Sequence, residues 1–488
     1  MSFDIHIPDH WRWATIAEVQ SSEKRSTITG PFGSSIGKKF FVEHGVPVIR
    51  GNNLSLDSTK FKDEGFVFVS EDKAEELRGY KAFKHDLIFT AAGTIGQVGI
   101  IPDNTKYECY IISNKQMRAR FDTDKVDPMF AYYWFSSPWM VDYIKRHDTG
   151  STIPLINLGV LRSLPMPLPP VVEQVAIRQY LFMIDEKINN NNKINQTLEQ
   201  MAQALFKSWF VDFEPVKVKM VALEAGGSQE DATLAAMTAI SGKDADALAV
   251  FEREHPEQYA ELKATAELFP SAMQDSELGE IPEEWSVASI SDMGKITCGK
   301  TPSKKEPEYF GDDIPFIKIP DMHGQLFVLK TNEYLSAAGS NSQLKKLVPA
   351  NSICVSCIAT IGVVSITNEP SHTNQQINSV TPHKSSFLYY IYFCMLGLKD
   401  YLHVLGSAGS ATLNVNTSTF SGIKIAQPDD KVLDLFHAKC THLFNEIKSL
   451  SVQTESLAQL RDTLLPKLLS GEITLPEAER ALSEAENV

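Results

Sequence analysis

The chain is written twice, and no other feature of its 488 residues constrains the fold as strongly. "IPDHW" at residues 7–11 returns as "IPEEW" at 281–285, and "VPVIRGNNL" at 46–54 returns as "IPFIKIPDM" at 314–322. In that second pair Arg50 aligns with Lys318 and Asn53 with Asp321. "GTIGQVGI" at 93–100 returns as "ATIGVVSI" at 359–366, "SNKQM" at 113–117 as "TNQQI" at 373–377, and "GSTIPLIN" at 150–157 as "GSATLNVN" at 409–416. The order never breaks, while the offset falls from 274 through 268, 266 and 260 to 259, as small deletions in a second copy require. Self-similarity of this kind fixes the architecture as two copies of one plan.

Each copy ends in proline and then a long helical pattern. In the first, Ile177, Leu181, Ile184, Ile188, Asn191, Asn195, Leu198, Ala202, Leu205 and Trp209 alternate spacings of four and three, the seam of a coiled coil. Adding 259 gives Phe436, Cys440, Leu443, Ile447, Leu450, Thr454, Leu457, Arg461, Leu464 and Leu468, so the two seams are in register. A helix over 172–209 is ~57 Å long at ~1.5 Å per residue, too long to bury its stripe on one small domain. Its simplest partner is its own repeat, packed antiparallel, with Asn191, Asn195 and Arg461 as polar interruptions that specify pairing at some cost in stability or mark where a partner replaces the coil contact.

Ahead of these helices, β-rich runs ("GFVFVS", "DLIFTAAG", "SICVSCIA") alternate with Gly and Pro punctuation and with aromatic segments ("MFAYYWFSS", "FLYYIYFCM") that read as helices under a core. The expected fold is two tandem α/β (α+β) globules joined by a long antiparallel two-helix coiled coil. The boundaries fall at 1–170 for the first globule, 171–212 for the first helix, 213–280 for an acidic linker of short exposed helices, 281–430 for the second globule, 431–472 for the second helix and 473–488 for a tail.

One stretch points elsewhere. "GKITCGKT" at 294–301 matches the phosphate-binding pattern G-x-x-x-x-G-K-[ST] in every fixed letter. A working loop of that type opens a helix whose N-terminus holds the phosphates. Here Pro302 follows Thr301 at once, Pro307 interrupts the next turn, and the first copy has "STITGPFG" at that place. The pattern therefore reads as an ordinary Gly-rich loop. Cys354 and Cys357 form a C-x-x-C with no second pair or nearby His, so no metal site is expected and the pair reads as core. No hydrolase, nuclease or methyltransferase motif emerges, which leaves a binder without catalytic residues. Six cysteines without framework spacing, no leader-like start and no apolar run long enough to span a bilayer place the expected location in the cytoplasm, away from membranes.

A formal charge of −15 taken whole argues against nucleic acid, but −10 of it lies in residues 211–280, while residues 1–210 are neutral. Small and basic residues on turns suit a phosphate backbone. The first copy offers Lys24, Arg25, Lys38, Lys39, Arg50 and Asn52, and the second Lys300, Lys304, Lys305 and Lys318. The amides Asn114, Gln116, Asn374 and Gln376 are of the type that reads adenine edges, and equally of the type that satisfies turns. Gly93, Gly96 and Gly362 read as residues that permit tight turns.

"LFKSWFVDFEPV" (205–216), "SELGEIPEEW" (276–285), "GKTPSKKEPEYF", "ATIGVVSI", "TNQQI" and "LRDTLLPKLLSGEI" (460–473), in this order, resemble the DNA-specificity (S) subunit of Type I restriction-modification systems over nearly the whole chain. The resemblance implies that each globule is a target-recognition domain reading one half of a split, asymmetric DNA sequence, that the coil sets the gap, and that two methylation subunits dock beside it. S-adenosylmethionine, ATP and Mg are then expected on methylation and restriction partners, with none bound by this chain. The rival readings are a coiled-coil adaptor whose globules bind protein, and a P-loop NTPase.

Overall fold

The structure, a computed structural model, describes residues 6–54, 60–150, 152–407, 413–473 and 476. Ser151, residues 409–412 of the last repeated phrase and nearly all of the 473–488 tail lie outside the described residues. The chain forms two compact units, Met1–Asn192 with Gln453–Val488 (unit 1) and Lys193–Val452 (unit 2).

In unit 1, Arg12–Thr15 pairs antiparallel with Pro165–Leu168, which closes the start of the globule on its end. A four-stranded sheet runs in the order Thr27–Thr29, Gln116–Ala119, Leu87–Thr90, Val98–Ile100. A five-stranded sheet runs in the order Phe41–Val42, Val67–Val69, Val46–Ile49, Tyr110–Ile112, Lys81–Ala82, with Val46–Ile49 parallel to Tyr110–Ile112. Unit 2 repeats this plan. Ser286–Ser289 pairs with Lys424–Gln427. Its larger sheet runs Gly294–Cys298, Ile377–Pro382, Ile353–Ser356, Val364–Thr367, Phe327–Val328. Ile314–Ile317 lies parallel to His372–Thr373 in the smaller one.

The central strands Leu87–Thr90 and Ile353–Ser356 are buried at every position. Strands covered on both faces require continuous apolar runs, which "LIFT" and "ICVS" largely provide. The aromatic segments form the helices Pro128–Phe135 and Leu388–Gly397, apolar all round and therefore enclosed. Asp127 caps the first, its Oδ1 accepting from the Phe130 N–H at 2.9 Å. Among the described residues no helix is long and apolar enough to cross a membrane.

The long helices are Val171–Phe210 and Asp430–Ser470. In unit 1 Ile177, Leu181, Ile184 and Ile188 share a core with Leu457, Leu464 and Leu468, so the early part of one helix lies beside the late part of the other. Asn191 Nδ2 donates to Gln453 Oε1 at 2.8 Å and Arg461 pairs with Asp185 at 3.4 Å. In unit 2 Asn195 Nδ2 donates to Ser451 Oγ at 3.1 Å, and Ala202 and Trp209 share a core with Phe436, Cys440 and Ile447.

The buried stripe is wider than a coiled-coil seam. Leu198, Leu205, Leu443 and Leu450 are only half-buried, whereas Phe206, Phe210 and Phe444, one residue beyond a seam position, are enclosed. Asp185, Leu465 and Leu469 occupy the same flank in unit 1 and are buried too. The reason is a second neighbour: within each unit the helices face the globule as well as each other, as a stripe of three to four positions in seven allows.

The acidic segment departs from the expected exposed linker. Glu214–Glu224, Gln229–Ser241, Ala245–Glu254 and Pro256–Glu267 surround a small core of Ala236, Met237, Leu248 and Ala266. Lys219 is 2% exposed, and its Nζ donates to the Phe269 carbonyl. Burial pushes the Lys219 ammonium below its ordinary value, with Glu267 opposing.

Candidate nucleic-acid interface

Each unit packs its basic loop against its amide turn, and a glycine makes the approach possible. Strand Thr27–Thr29 ends at Gly30, whose N–H donates to the Gln116 carbonyl at 2.8 Å. A Cβ on Gly30 would lie 1.9 Å from the Ser113 carbonyl oxygen, so no side chain fits. In unit 2 the Gly299 N–H donates to the Ile377 carbonyl at 3.1 Å, and a Cβ there would lie 2.1 Å from the Asn374 carbonyl oxygen. A glycine close against the amide turn thus recurs in both copies, its partners shifted by one residue in the second.

That contact disposes of the phosphate-loop pattern. Gly294–Cys298 is a strand paired with Ile377–Pro382. The Lys300 N–H donates to the Thr373 carbonyl at 2.9 Å and Thr301 Oγ1 to Gln375 Oε1 at 2.6 Å. No helix opens after Thr301, so these donors hold the turn and do not cradle a phosphate.

The other candidate residues divide into loop-builders and exposed groups. The Arg50 N–H donates to Asn53 Oδ1 at 2.9 Å, and in unit 2 the Lys318 N–H donates to Asp321 Oδ2 at 2.8 Å, one hydrogen bond conserved between the copies at the aligned positions. Arg50 Nη2 and Asn52 Nδ2 both donate to the Gly65 carbonyl, each at 3.3 Å, and so shape their own loop. Lys318 pairs with Glu333 and lies over the Phe316 ring at 5.5 Å. Asn374 Nδ2 donates to Gln376 Oε1 at 3.0 Å, which commits that pair to the turn. Gln116 is fully buried, and Ser113 Oγ donates to its Oε1. Asn114 is exposed instead, its Nδ2 3.1 Å from where a Cβ on Gly33 would sit.

Lys38, Lys39, Lys300, Lys304 and Lys305 are exposed, with Lys39 over the Phe40 ring at 4.8 Å. Lys24 and Arg25, also exposed, are separated from Lys38 and Lys39 by strand Thr27–Thr29, so the basic stretch of the first copy is two sites. Arg25 has φ 63°, its guanidinium lies against Gly79, and its carbonyl accepts from the buried Arg118. Burial pushes the Arg118 guanidinium down, while the Asp86 carboxylate raises that of Arg120 through bonds of 2.8 Å.

Sequence reasoning missed four groups. Lys115 and Gln375 stand exposed in the middle of the two amide turns. Lys345 and Lys346 lie on the short 3-10 turn Leu344–Lys346, which the adjoining Gln343 ties to the Lys300 carbonyl at 2.9 Å. The signal for the turn pair was present, since a residue between two inward ones in a tight turn points out. The signal for Lys345 and Lys346 was not, because the repeat is too diverged there to align.

At Gly93, Gly96 and Gly362 φ is 97°, 94° and 84°, the left-handed region that glycine permits. Gly93 aligns with Ala359, which holds the same hand at φ 64° with a side chain.

Comparison with known proteins agrees with this double arrangement. Residues 24–200 and 282–432 match the family described as Type I restriction modification DNA specificity domain. The chain is 44% identical over 390 residues to the Type I restriction enzyme HindI specificity subunit of Haemophilus influenzae, covering 77% of this chain and 85% of that one. It is 24% identical over 474 residues to the Type I restriction enzyme MjaIX specificity subunit of Methanocaldococcus jannaschii, covering 96% and 95%. The crystal structure of a Type I restriction-modification S subunit from M. genitalium shares the fold, with a TM-score of 0.52 at 15% identity over 96% of this chain and 98% of that one. Two matched domains, each ending in one of two long paired helices, make this chain a member of the Type I restriction-modification specificity family, a DNA sequence-specificity subunit.

Proposed function

We propose that the recognition domain of each unit reads one half of a split, asymmetric DNA sequence, that the helix pair sets the gap, and that two methylation subunits dock beside it, with restriction subunits joining them. The observation that carries this reading is one sheet plan built twice with different side chains on the corresponding loops: Asn114 and Lys115 in one turn, Asn374 and Gln375 in the other. Equal scaffolds with unequal contacts read unequal sequences. The chain itself is non-catalytic and works in the prokaryotic cytoplasm. S-adenosylmethionine, ATP and Mg belong to its partners. The near-neutral recognition halves fit a subunit that binds DNA weakly alone and draws much of its phosphate contact from the methylation subunits.

The test is to express this chain with its neighbouring methylation-subunit gene in a methylation-free bacterium and to map N6-methyladenine across the genome. The expected result is one split motif of two different halves around a fixed gap. Co-purification of the two proteins with no such methylation would overturn the reading in favour of an adaptor.

A further inference from the structure

We propose that Phe32 is a DNA-stacking residue, a ring carried at the tip of the basic loop of unit 1 to lie against a base of the sequence this unit reads. The inference rests on the reading above that unit 1 contacts DNA.

Phe32 is 85% exposed, a whole phenyl ring in water, which forgoes the burial that aromatic residues normally contribute to a fold. Its backbone is nevertheless well held. Pro31 before it is buried, and Gly30 before that is clamped on the Ser113 carbonyl. After it comes the 3-10 turn Gly33–Ser35, with the Ser35 N–H donating to the Phe32 carbonyl at 2.8 Å. Ile36 then enters a core with Val46, Val48 and Val69. The backbone that carries the ring is thus held between two anchors, and the ring itself belongs to neither.

Its neighbours decide what it meets. Ser34 and Ser35 follow in the loop, Lys38 and Lys39 lie just beyond, and Asn114 is beside Gly33. A protein partner recognises an apolar patch, whereas a single ring among hydroxyls, an amide and lysines matches a base face next to phosphates. In unit 2 the stretch that leaves the equivalent strand is Gly299, Lys300, Thr301 and Pro302, which carries no ring, and its Thr301 hydroxyl is bound to Gln375. The wedge therefore belongs to one half-site.

The experiment uses the full chain co-purified with its methylation subunits and the split site found by methylation mapping. Phe32→Ala is expected to weaken binding of that duplex about 5- to 100-fold, the effect of losing one stacked base, and Phe32→Trp to retain it. With 2-aminopurine placed at each position of both halves in turn, the wild-type complex should change the fluorescence at the adenines that the methylation subunits extrude and at one further step in one half, and Phe32→Ala should abolish only the latter. Unaltered thermal unfolding and subunit assembly are expected, and Phe32→Ser is read in parallel so that a folding defect in one variant leaves the other to decide. Undiminished binding by both variants would overturn the proposal while leaving the DNA-reading function intact. Loss of methylation-subunit assembly would overturn it too, by assigning the ring to a protein contact. A wild-type complex with no split site would remove both readings together.

Discussion

In unit 1 the apolar joint between the recognition domain and the long helices is threaded by buried charges and amides, whereas in unit 2 the equivalent joint is a cluster of rings. Asp185, 4% exposed, takes Lys60 Nζ at 2.8 Å, the Tyr133 hydroxyl at 2.8 Å and Arg461 at 3.4 Å. Gln174, fully buried, accepts from the Asp127 N–H at 2.9 Å and donates to the Lys125 and Pro169 carbonyls. In unit 2 Phe206 stacks on Phe393 at 5.3 Å, Phe210 meets Tyr390 and Phe436 at 5.0 Å each, and Phe444 meets Tyr389 at 4.2 Å. One hydroxyl contact survives, Tyr392 to Glu199 at 2.7 Å, where Tyr392 aligns with Tyr133. Rings contribute non-directional burial, while an enclosed ion set contributes little net stability and much geometry. The ionic joint also reaches outward, since Lys60 adjoins residues 62–65, whose carbonyls Arg50, Asn52 and Asn53 hold. The segment that Arg50, Asn52 and Asn53 hold is thereby tied directly to the helices.

The strongest way to break this contrast is to remove the centre of each joint. Phe436→Ala in unit 2 should cost about 4 kcal/mol, as for a large ring deleted from a packed core. Asp185→Ala in unit 1 should cost about 3 kcal/mol, because Lys60 and the Tyr133 hydroxyl lose their acceptor, while Arg461 keeps Asp462. Hydrogen exchange read by peptide separates the two. Phe436→Ala should deprotect 387–396 and 199–210, and Asp185→Ala should deprotect 171–192 and 453–469. Equal loosening of both units by both variants would show that the joints are not independent.

A finer comparison uses the repeated turn at Gly93 and Ala359. A Cβ at Gly93 would meet nothing within 4 Å, so Gly93→Ala isolates the backbone cost of a left-handed residue, about 1–2 kcal/mol. Ala359→Gly should act in the opposite sense, stabilising by roughly 0.5 kcal/mol once the added freedom of the unfolded glycine is subtracted. Urea midpoints for the two variants check both signs, and a stabilising Gly93→Ala would mean that the turns are not equivalent.

These turns also mark how much was legible in the sequence. Left-handed backbone announces itself where glycine occupies it, at Gly93 and Gly362, but Ala359 reveals it only through alignment with its copy. The seam was legible because heptad spacing survives divergence, and in-register seams paired antiparallel already place 453–468 beside 171–188. The flank beside the seam was not legible. "DEK" at 185–187 looks like a solvated charge run, and only the tertiary neighbours Lys60, Tyr133 and Arg461 distinguish Asp185 from Glu186. The amides illustrate the same limit. Asn114 and Gln116 are chemically alike, yet one sits in the turn and the other begins the strand Gln116–Ala119 and faces inward, a distinction set by strand register. In the acidic segment composition drew attention to the charges and hid the four-residue core.

The smallest effect concerns the thiols, and it sharpens the contrast from the ring-packed side. Cys354, Cys357, Cys394 and Cys440 all lie in unit 2, and burial pushes them up to about 11, 11, 12 and 12 from an ordinary 9.0. Since the thiolate is the reactive form, iodoacetamide at pH 8 should leave the buried Cys354, Cys357 and Cys440 unmodified in the native chain, with Cys394, half-exposed but held protonated, slow to react, while the half-exposed Cys298 reacts most readily. The folded chain holds the four protons more tightly than the unfolded one, so their contribution to stability is complete below about pH 9 and is lost as pH climbs through about 11 to 12. Unit 1 holds only Cys109, so peptide-resolved alkylation during an alkaline titration should record unit 2 opening with these thiols. Modification of Cys354 or Cys357 at pH 8 with unit 2 otherwise protected from exchange would mean that the sheet around Ile353–Ser356 opens locally, and that the rings of unit 2 do not form the tighter joint.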